Sequence, residues 1–347
     1  MYKKLFILLL LIAVSFNLCL NSTVANAENK NVESKVYHLF THALIAYPYL
    51  AFDKNNEMRK HYDKDCITVK EFKSALSQLY KNGFILVSPS DVYEIKNEIA
   101  IKKTLKLKKK PLILSFDDIN YYSKKMNRGM NDKIVLHNNQ LATYTHNATT
   151  KINYNNEVIT VLENFIRAHP DFSYNNAKAT ICLTGFDGIL GYRTQSSNPN
   201  RNEEIQKVIP IINKLKSLNW KFACHSYGHY AMKKTTYLQF AADTDKWLNE
   251  VQPLIGKTEI YVYPYGEYEI NNGDSLSAKH KYLLAKGFKL FCGVGDVPYF
   301  NYMPYNSNAH PKCLFMDRIP LDGYALRHSF LDIFFDSKLV YDAIRDN

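Results

Sequence analysis

The sequence contains no Gly-x-Gly-x-x-Gly run, no Cys-x-x-Cys pair, no linker rich in Pro, Gly or Ser, and no internal repeat. The missing glycine fingerprint argues against a dinucleotide-binding sheet. The missing linkers and repeats leave one large domain as the expectation. After the first twenty residues no segment approaches the roughly 18 uninterrupted apolar residues that a membrane span needs. Cysteine is sparse and uneven. Of six, Cys19 lies in the leader described below, and Cys66, Cys182, Cys224, Cys292 and Cys313 remain, an odd number from which no disulfide framework is expected. With 347 residues, 46% hydrophobic and 22% charged, the chain is also excluded from the disordered, coiled-coil and collagen-like classes.

What is present begins with an export signal. Lys3 and Lys4 precede an uncharged stretch from Leu5 to Leu20, and Ala25-Asn26-Ala27 supplies a small-x-small cleavage site. Residues 1–27 are therefore expected to be a signal peptide and 28–347 a single secreted or cell-wall-associated domain. The rival readings are a membrane anchor through an uncleaved signal or through a lipidated Cys19, the latter disfavoured by the bulky Leu18. Removing Lys3 and Lys4 takes the net charge from +11 to +9. That balance suggests attraction to anionic cell-wall polymers. Nucleic acid is not expected, because the lysine-rich stretch Lys102 to Lys110 has no interleaved aromatics.

Along the mature chain, strand-like and helix-like segments alternate. Val36 to Thr41 is a β-prone run. Thr68 and Glu71 form a capping box ahead of Phe72, Leu76, Leu79 and Tyr80, which share one helical face, and Gly83 closes that helix. Strands are predicted at Phe84 to Val87, Leu112 to Phe116, Ala179 to Leu183, Trp220 to Cys224, Ile260 to Tyr263 and Phe288 to Val294. Helices are predicted between them, among these one whose stripe is Val158, Val161, Leu162, Phe165 and Ile166, and one bent near Pro210. Lys133 to Thr145 reads as an inserted hairpin. Repeated β-then-α units require a parallel sheet, and about seven strands favour a distorted (β/α) barrel.

Three polar clusters follow strand ends: Asp117-Asp118, His225-Ser226-Tyr227-Gly228-His229, and Pro264-Tyr265-Gly266. In a β/α barrel those ends converge on one mouth, where active sites are built. His225 and His229 with one of the two aspartates make a two-histidine, one-carboxylate set suited to a divalent cation such as Zn²⁺, and the other aspartate is available as a base.

These residues resemble the NodB-type polysaccharide deacetylases, carbohydrate esterase family four. Ser115-Phe116-Asp117-Asp118 is similar to their Thr-Phe-Asp-Asp-Gly motif, His225 to His229 fits their His-Ser/Thr-x-x-His motif, and Tyr263-Pro264-Tyr265-Gly266 is similar to their third motif. The resemblance spans roughly Val36 to Ile344, an N-terminal strand and helix at 36–87 and a metal-site core at 111–320. It implies metal-dependent removal of acetyl groups from an N-acetylglucosamine polymer such as peptidoglycan or poly-N-acetylglucosamine. Asp117 would be the general base, Asp118, His225 and His229 the ligands of Zn²⁺ (Co²⁺, Mn²⁺ or Ni²⁺ as alternatives), and the Tyr265 backbone N–H part of an oxyanion hole. Two positions depart from the family. Ile119 replaces the usual glycine, and Val262 stands where many members carry an arginine, so Arg318 is the candidate partner of Asp117. For the general acid, deacetylases of poly-N-acetylglucosamine resemble a circular permutation with a histidine on an N-terminal strand. That makes His42 the first candidate, His38 the second, and His328, at the expected start of a terminal helix, the third. The alternatives to this function are a non-catalytic glycan-binding module on the same scaffold, and a deacetylase or amidase of another substrate such as xylan. The inserted hairpin and some of the 26 tyrosines are candidates to shape a sugar-stacking groove, while most of the tyrosines are expected to pack or to lie on the surface.

Overall fold

The computed structural model describes residues 34–268, 277–295, 313–328 and 330–346, so the expected leader and Cys19 lie outside the described residues. Along the described chain the strands are β1 (Tyr37–His42), β2 (Phe84–Leu86), β3 (Tyr93–Lys96), β4 (Ile99–Lys102), β5 (Lys110–Asp117), β6 (Lys133–His137), β7 (Gln140–Tyr144), β8 (Ile152–Asn153), β9 (Thr180–Leu183), β10 (Lys221–Cys224), β11 (Ile260–Val262), β12 (Leu290–Val294) and β13 (Leu314–Pro320). Seven of them close a ring of parallel pairs in the order β1, β13, β12, β11, β10, β9, β5 and back to β1. The result is the distorted (β/α) barrel. Strand β2 pairs with the first residues of β5, and β9 takes over that edge from Ser115 onward.

The barrel strands are buried on both faces, which is why Leu112 to Phe116 shows no polar alternation. Leu112, Leu114 and Phe116 face the outer core, while Ile113 joins Cys182, Ala223, Ile260, Val262, Leu290, Cys292, Leu314 and Met316 in a separate inner cluster. Helices cover the outside. Val69–Lys81 starts on the Thr68 and Glu71 capping box and buries Phe72, Ala75, Leu76 and Leu79. Val158–Ala168 buries its predicted stripe except for the half-buried Phe165, and Arg201–Ser217 runs continuously through Pro210. Tyr237–Glu250 and Ala278–Ala285 complete the set between β10 and β12.

Two elements differ from expectation. Strand β13 is interrupted in sequence by Asp317, Arg318 and Pro320, which obscures its β pattern, yet Leu314 to Arg318 pair with β12, Ile319 and Pro320 pair with β1, and Leu314 and Met316 join the inner cluster. The hairpin β3–β4 also joins that cluster, through Tyr93 and Ala100. The predicted hairpin at Lys133 to Thr145 forms as β6–β7, with β8 added at its edge.

The C-terminal turn is tied back to the N-terminal helices. Arg345, 3% exposed, donates from Nε and Nη2 to the two Glu71 carboxylate oxygens at 2.6 Å each, and to the carbonyls of Asp63 and Cys66. Those two carbonyls end the helix Arg59–Asp65, whose His61 and Asp65 reach the site described below. The five described cysteines are all free and buried, and burial pushes the thiols of Cys66, Cys292 and Cys313 up to about 12.

A second buried carboxylate, Glu157, caps the helix Val158–Ala168 and also accepts the Leu44 N–H at 2.9 Å, pinning the turn after β1. Burial pushes its pKa up from 4.5 to about 7, against the hydrogen bonds from Leu44, Val158 and Asn131. The folded state therefore holds this proton more tightly than the unfolded chain. Its stabilisation is complete below 4.5 and is lost as pH rises through about 7. Glu157→Gln, which imitates the protonated group, is expected to flatten the fall of Tm between those two pH values. An unaltered slope in calorimetry would contradict this account.

Candidate active site

The three polar clusters meet at the C-terminal mouth of the barrel, around a cavity of about 630 Å³. Asp117 ends β5, Asp118 follows it, and His225 follows β10. Their backbones take conformations that side chains other than glycine seldom adopt: φ is +58° at Asp118, +60° at Ser226, +56° at His229 and +59° at Tyr265. Strain of this kind persists where the surroundings over-determine it. Here Asp243 does so for the histidine loop, accepting from Ser226 Oγ at 2.7 Å and from the N–H groups of Tyr227 and Gly228 at 2.8 and 2.6 Å. Gly266, at φ +67°, follows Tyr265 in a turn where an added Cβ would lie 2.4 Å from that of Val294.

One carboxylate oxygen of Asp118 and one ring nitrogen each of His225 and His229 lie within 4.8 Å of one another. Among the described residues this is the one such group of three. His225 donates from Nδ1 to the Val262 carbonyl at 2.9 Å, which leaves the Nε2 lone pair turned to the mouth. Asp118 accepts from Tyr122 Oη at 2.5 Å, and Tyr122 in turn meets Thr184 Oγ1 at 2.8 Å. Burial lowers the His229 pKa to about 4, against the attraction of Asp118, so the ring is neutral at pH 7 and its lone pair is free for a cation. Three protein donors of this chemistry suit a divalent metal with a position left open.

Asp117 stands beside this set, 3.8 Å from His225 Nε2. Arg318 grips it with both arms of the guanidinium, Nη1 to Oδ1 at 2.8 Å and Nη2 to Oδ2 at 2.9 Å. Burial pushes the Asp117 carboxyl up, but the charges of Arg318 and His225 and the Arg318 hydrogen bonds outweigh it and hold the group well below the usual carboxylate range. Arg318 is itself 1% exposed, lies 4.2 Å over the Phe40 ring, and donates to Ser115 Oγ and the Gly293 carbonyl. It comes from β13, not from the Val262 position, where a valine packs in the inner cluster. Ile119 is fully buried and has no positive φ, so the backbone at that position does not require glycine.

The three candidate histidines part company. His42 ends β1 in register with Asp117, lines the cavity, and has a buried Nδ1 with no partner among the described residues. Burial lowers its pKa, against the attraction of Asp118 and Asp117. His38 lies deeper, at 3% exposure, with Nε2 2.9 Å from Ser115 Oγ and Nδ1 3.2 Å from the Met316 sulfur, and it does not line the cavity. His328 is the one to correct. It is not the start of a helix but the C-cap of the short helix Gly323–Arg327, exposed and stacked on Tyr324, away from the cavity. The groove expectation also needs correction: β6 and β7 contribute nothing to the cavity wall, because that hairpin packs on the outside with Gly191 and the helix Val158–Ala168. Tyr265 does line it, with its ring 4.7 Å from that of His229. Among the described residues its backbone N–H has no acceptor.

Several residues at this mouth escaped the sequence reading. His61 and Asp65 face the cavity from the helix Arg59–Asp65, joined by a 3.0 Å hydrogen bond at i, i+4. Their spacing was the available signal. Tyr122, Asp243 and the lysines Lys64, Lys124 and Lys125 carried no motif.

No protein-family model and no curated protein matches the chain. Solved structures do. The Streptococcus pyogenes deacetylase PplD, in complex with acetate, is 14% identical over 86% of this chain and 99% of its own, with a TM-score of 0.43. The deacetylase domain of BpsB from Bordetella bronchiseptica is 12% identical over 62% and 74%, with a TM-score of 0.31. A family 4 carbohydrate esterase from Streptomyces lividans, in complex with acetate, is 14% identical over 47% and 72%, with a TM-score of 0.24. At low identity and partial coverage, this chain is similar in structure to polysaccharide deacetylases of carbohydrate esterase family 4.

Proposed function

We propose that the protein is a metal-dependent hydrolase that removes N-acetyl groups from an exported or cell-wall N-acetylglucosamine polymer. The observation that carries this reading is the meeting of Asp118, His225 and His229 within 4.8 Å, beside an Asp117 held by Arg318. Export rests on the sequence alone, on Lys3, Lys4 and the apolar stretch that follows. Among the described residues no helix is long and apolar enough to cross a membrane.

The donor set of one carboxylate and two imidazoles fits Zn²⁺ or a similar ion, held by Asp118, His225 and His229. The chemistry such an ion supplies when bound is Lewis acidity, which acidifies water and polarises the acetyl carbonyl. The remaining work falls to the chain. Asp117, kept ionised and fixed in orientation by Arg318, accepts a proton from the water that attacks the acetyl carbon. The Tyr265 N–H donates to the oxygen that becomes negative in the tetrahedral state. His42, acting from its protonated form, gives that proton to the sugar nitrogen as the C–N bond breaks, so that acetate and a free amine result. Phe40, Val294 and Pro320 line the same cavity and limit water around these groups.

Acetate release from poly-N-acetylglucosamine, peptidoglycan and xylan is the test. Release is expected from at least one of the first two, is abolished by a chelator, and falls about 10²–10⁴-fold in Asp117→Asn. Metal-loaded protein that frees acetate from none of the three would favour the non-catalytic glycan-binding module.

His42→Ala should lower kcat by about 10²-fold with metal content unchanged. Near-normal turnover would move the acid role to the His61–Asp65 pair.

Arg318 is expected to set the acid limb of the pH–rate profile. Asp117 works only when ionised, so activity is present above its pKa and lost as pH falls through it. Without the guanidinium that pKa rises, and in Arg318→Met the acid limb should move to higher pH. Arg318→Lys keeps the charge but not the two-pronged grip, and should shift the limb less. A limb at the same pH in all three proteins would sink the assignment.

A further inference from the structure

One wall of the cavity carries positive charge that the reaction above does not use. Lys124 and Lys125 belong to a 3-10 turn, Ser123–Lys125, five to seven residues beyond Asp118. The turn is built rigidly. Ser123 donates to both carboxylate oxygens of Asp187, from N at 2.6 Å and from Oγ at 3.0 Å. Tyr122, just before it, bonds Asp118 and stacks on Phe186 at 4.7 Å. The ammonium groups of Lys124 and Lys125 lie 5.9 and 5.5 Å from the centre of that same Tyr122 ring. Lys125 is only 6% exposed, and both lysines line the cavity.

Among the described residues neither ammonium has a carboxylate at ion-pair distance, although acids are close. Those acids are committed elsewhere. Asp117 is held by Arg318, Asp118 by Tyr122 beside the two histidines, Asp65 by His61, and Asp187 by Ser123 and Arg193. The buried stem of Lys125 fixes that cation at the cavity wall, where an anionic group on a ligand would meet it.

We propose that Lys125, assisted by Lys124, is an anion subsite, and that the substrate is an N-acetylated glycan bearing a phosphate or carboxylate group close to the acetamide that is cleaved. The inference rests on the deacetylase reading for its substrate and on the lysine geometry for its charge. Phosphate and carboxylate share the chemistry that the ammonium recognises, a compact anion accepting charge-assisted hydrogen bonds. The cavity of about 630 Å³ is of the size that holds a ligand of a few rings.

Three probes separate the sources: an N-acetylglucosamine tetramer, the same tetramer phosphorylated at one O6, and a peptidoglycan tetrasaccharide with lactyl carboxylates. In the wild-type protein kcat/KM for one charged probe should exceed that for the neutral tetramer by about tenfold, mainly through KM, and the advantage should shrink as salt rises. In Lys125→Met the ratio of charged to neutral is expected to fall towards one, and Lys125→Arg should retain most of it. Calorimetric binding of the same probes to Asp117→Asn protein reads the preference without turnover, so loss of the deacetylase reading would not hide it. Equal affinity for charged and neutral tetramers in the wild-type protein, or equal loss on both in Lys125→Met, would overturn the proposal.

Discussion

The wedging of β1 between β5 and β13 is the constraint on which the rest depends. Its register sets His42 beside Asp117 on one side and Phe40 beside Pro320 on the other. Without that strand the sheet would be open, and Arg318 would face Asp117 across a gap. With it, the guanidinium lies over the Phe40 ring and reaches the carboxylate two strands away. Closure thus does three things together: it completes the hydrogen-bonded ring, walls off the buried ion pair, and brings the N-terminal histidine to the mouth.

The same closure explains why an ion pair can be tolerated so deep. A buried charge persists when its geometry is good and its other donors are satisfied. Arg318 meets both conditions, through Asp117, Ser115 and Gly293. His38 extends the network one step further down, through Ser115. The inner cluster below is apolar, so polarity along the barrel axis changes from aliphatic at one end to ionic at the mouth.

Much of this was legible in the residues. Strands covered on both faces read as unbroken apolar runs, and the chemistry follows their C-terminal ends, so Asp117, Asp118, His225 and His229 could be singled out from position and type. The capping box at Thr68 and the stripe from Val158 to Ile166 marked two helices for local reasons. What stayed hidden depends on partners far along the chain. Strand β13 exists because β12 and β1 hydrogen-bond to it, against the grain of Asp317, Arg318 and Pro320. The hairpin β3–β4 earns its place by packing, since its exposed lysines and short apolar runs give little period of their own. His328 misled because its neighbours are helix formers, although the helix ends just before it. His61, Asp65 and Lys125 had no strand end to flag them; only the folded mouth brings them to the same cavity.

The five buried thiols have a consequence for how the protein would meet an oxidant. Thiol exchange requires the thiolate, and burial withholds both the proton acceptor and the approach of an oxidant. The native barrel is therefore its own antioxidant. Were the barrel to open, Cys182 and Cys224 of the paired strands β9 and β10, and Cys292 of β12, would be exposed together, and any disulfide among them would lock the chain out of its ring. Oxidation of these thiols would therefore follow unfolding rather than cause it, and would turn a transient opening into a lasting one.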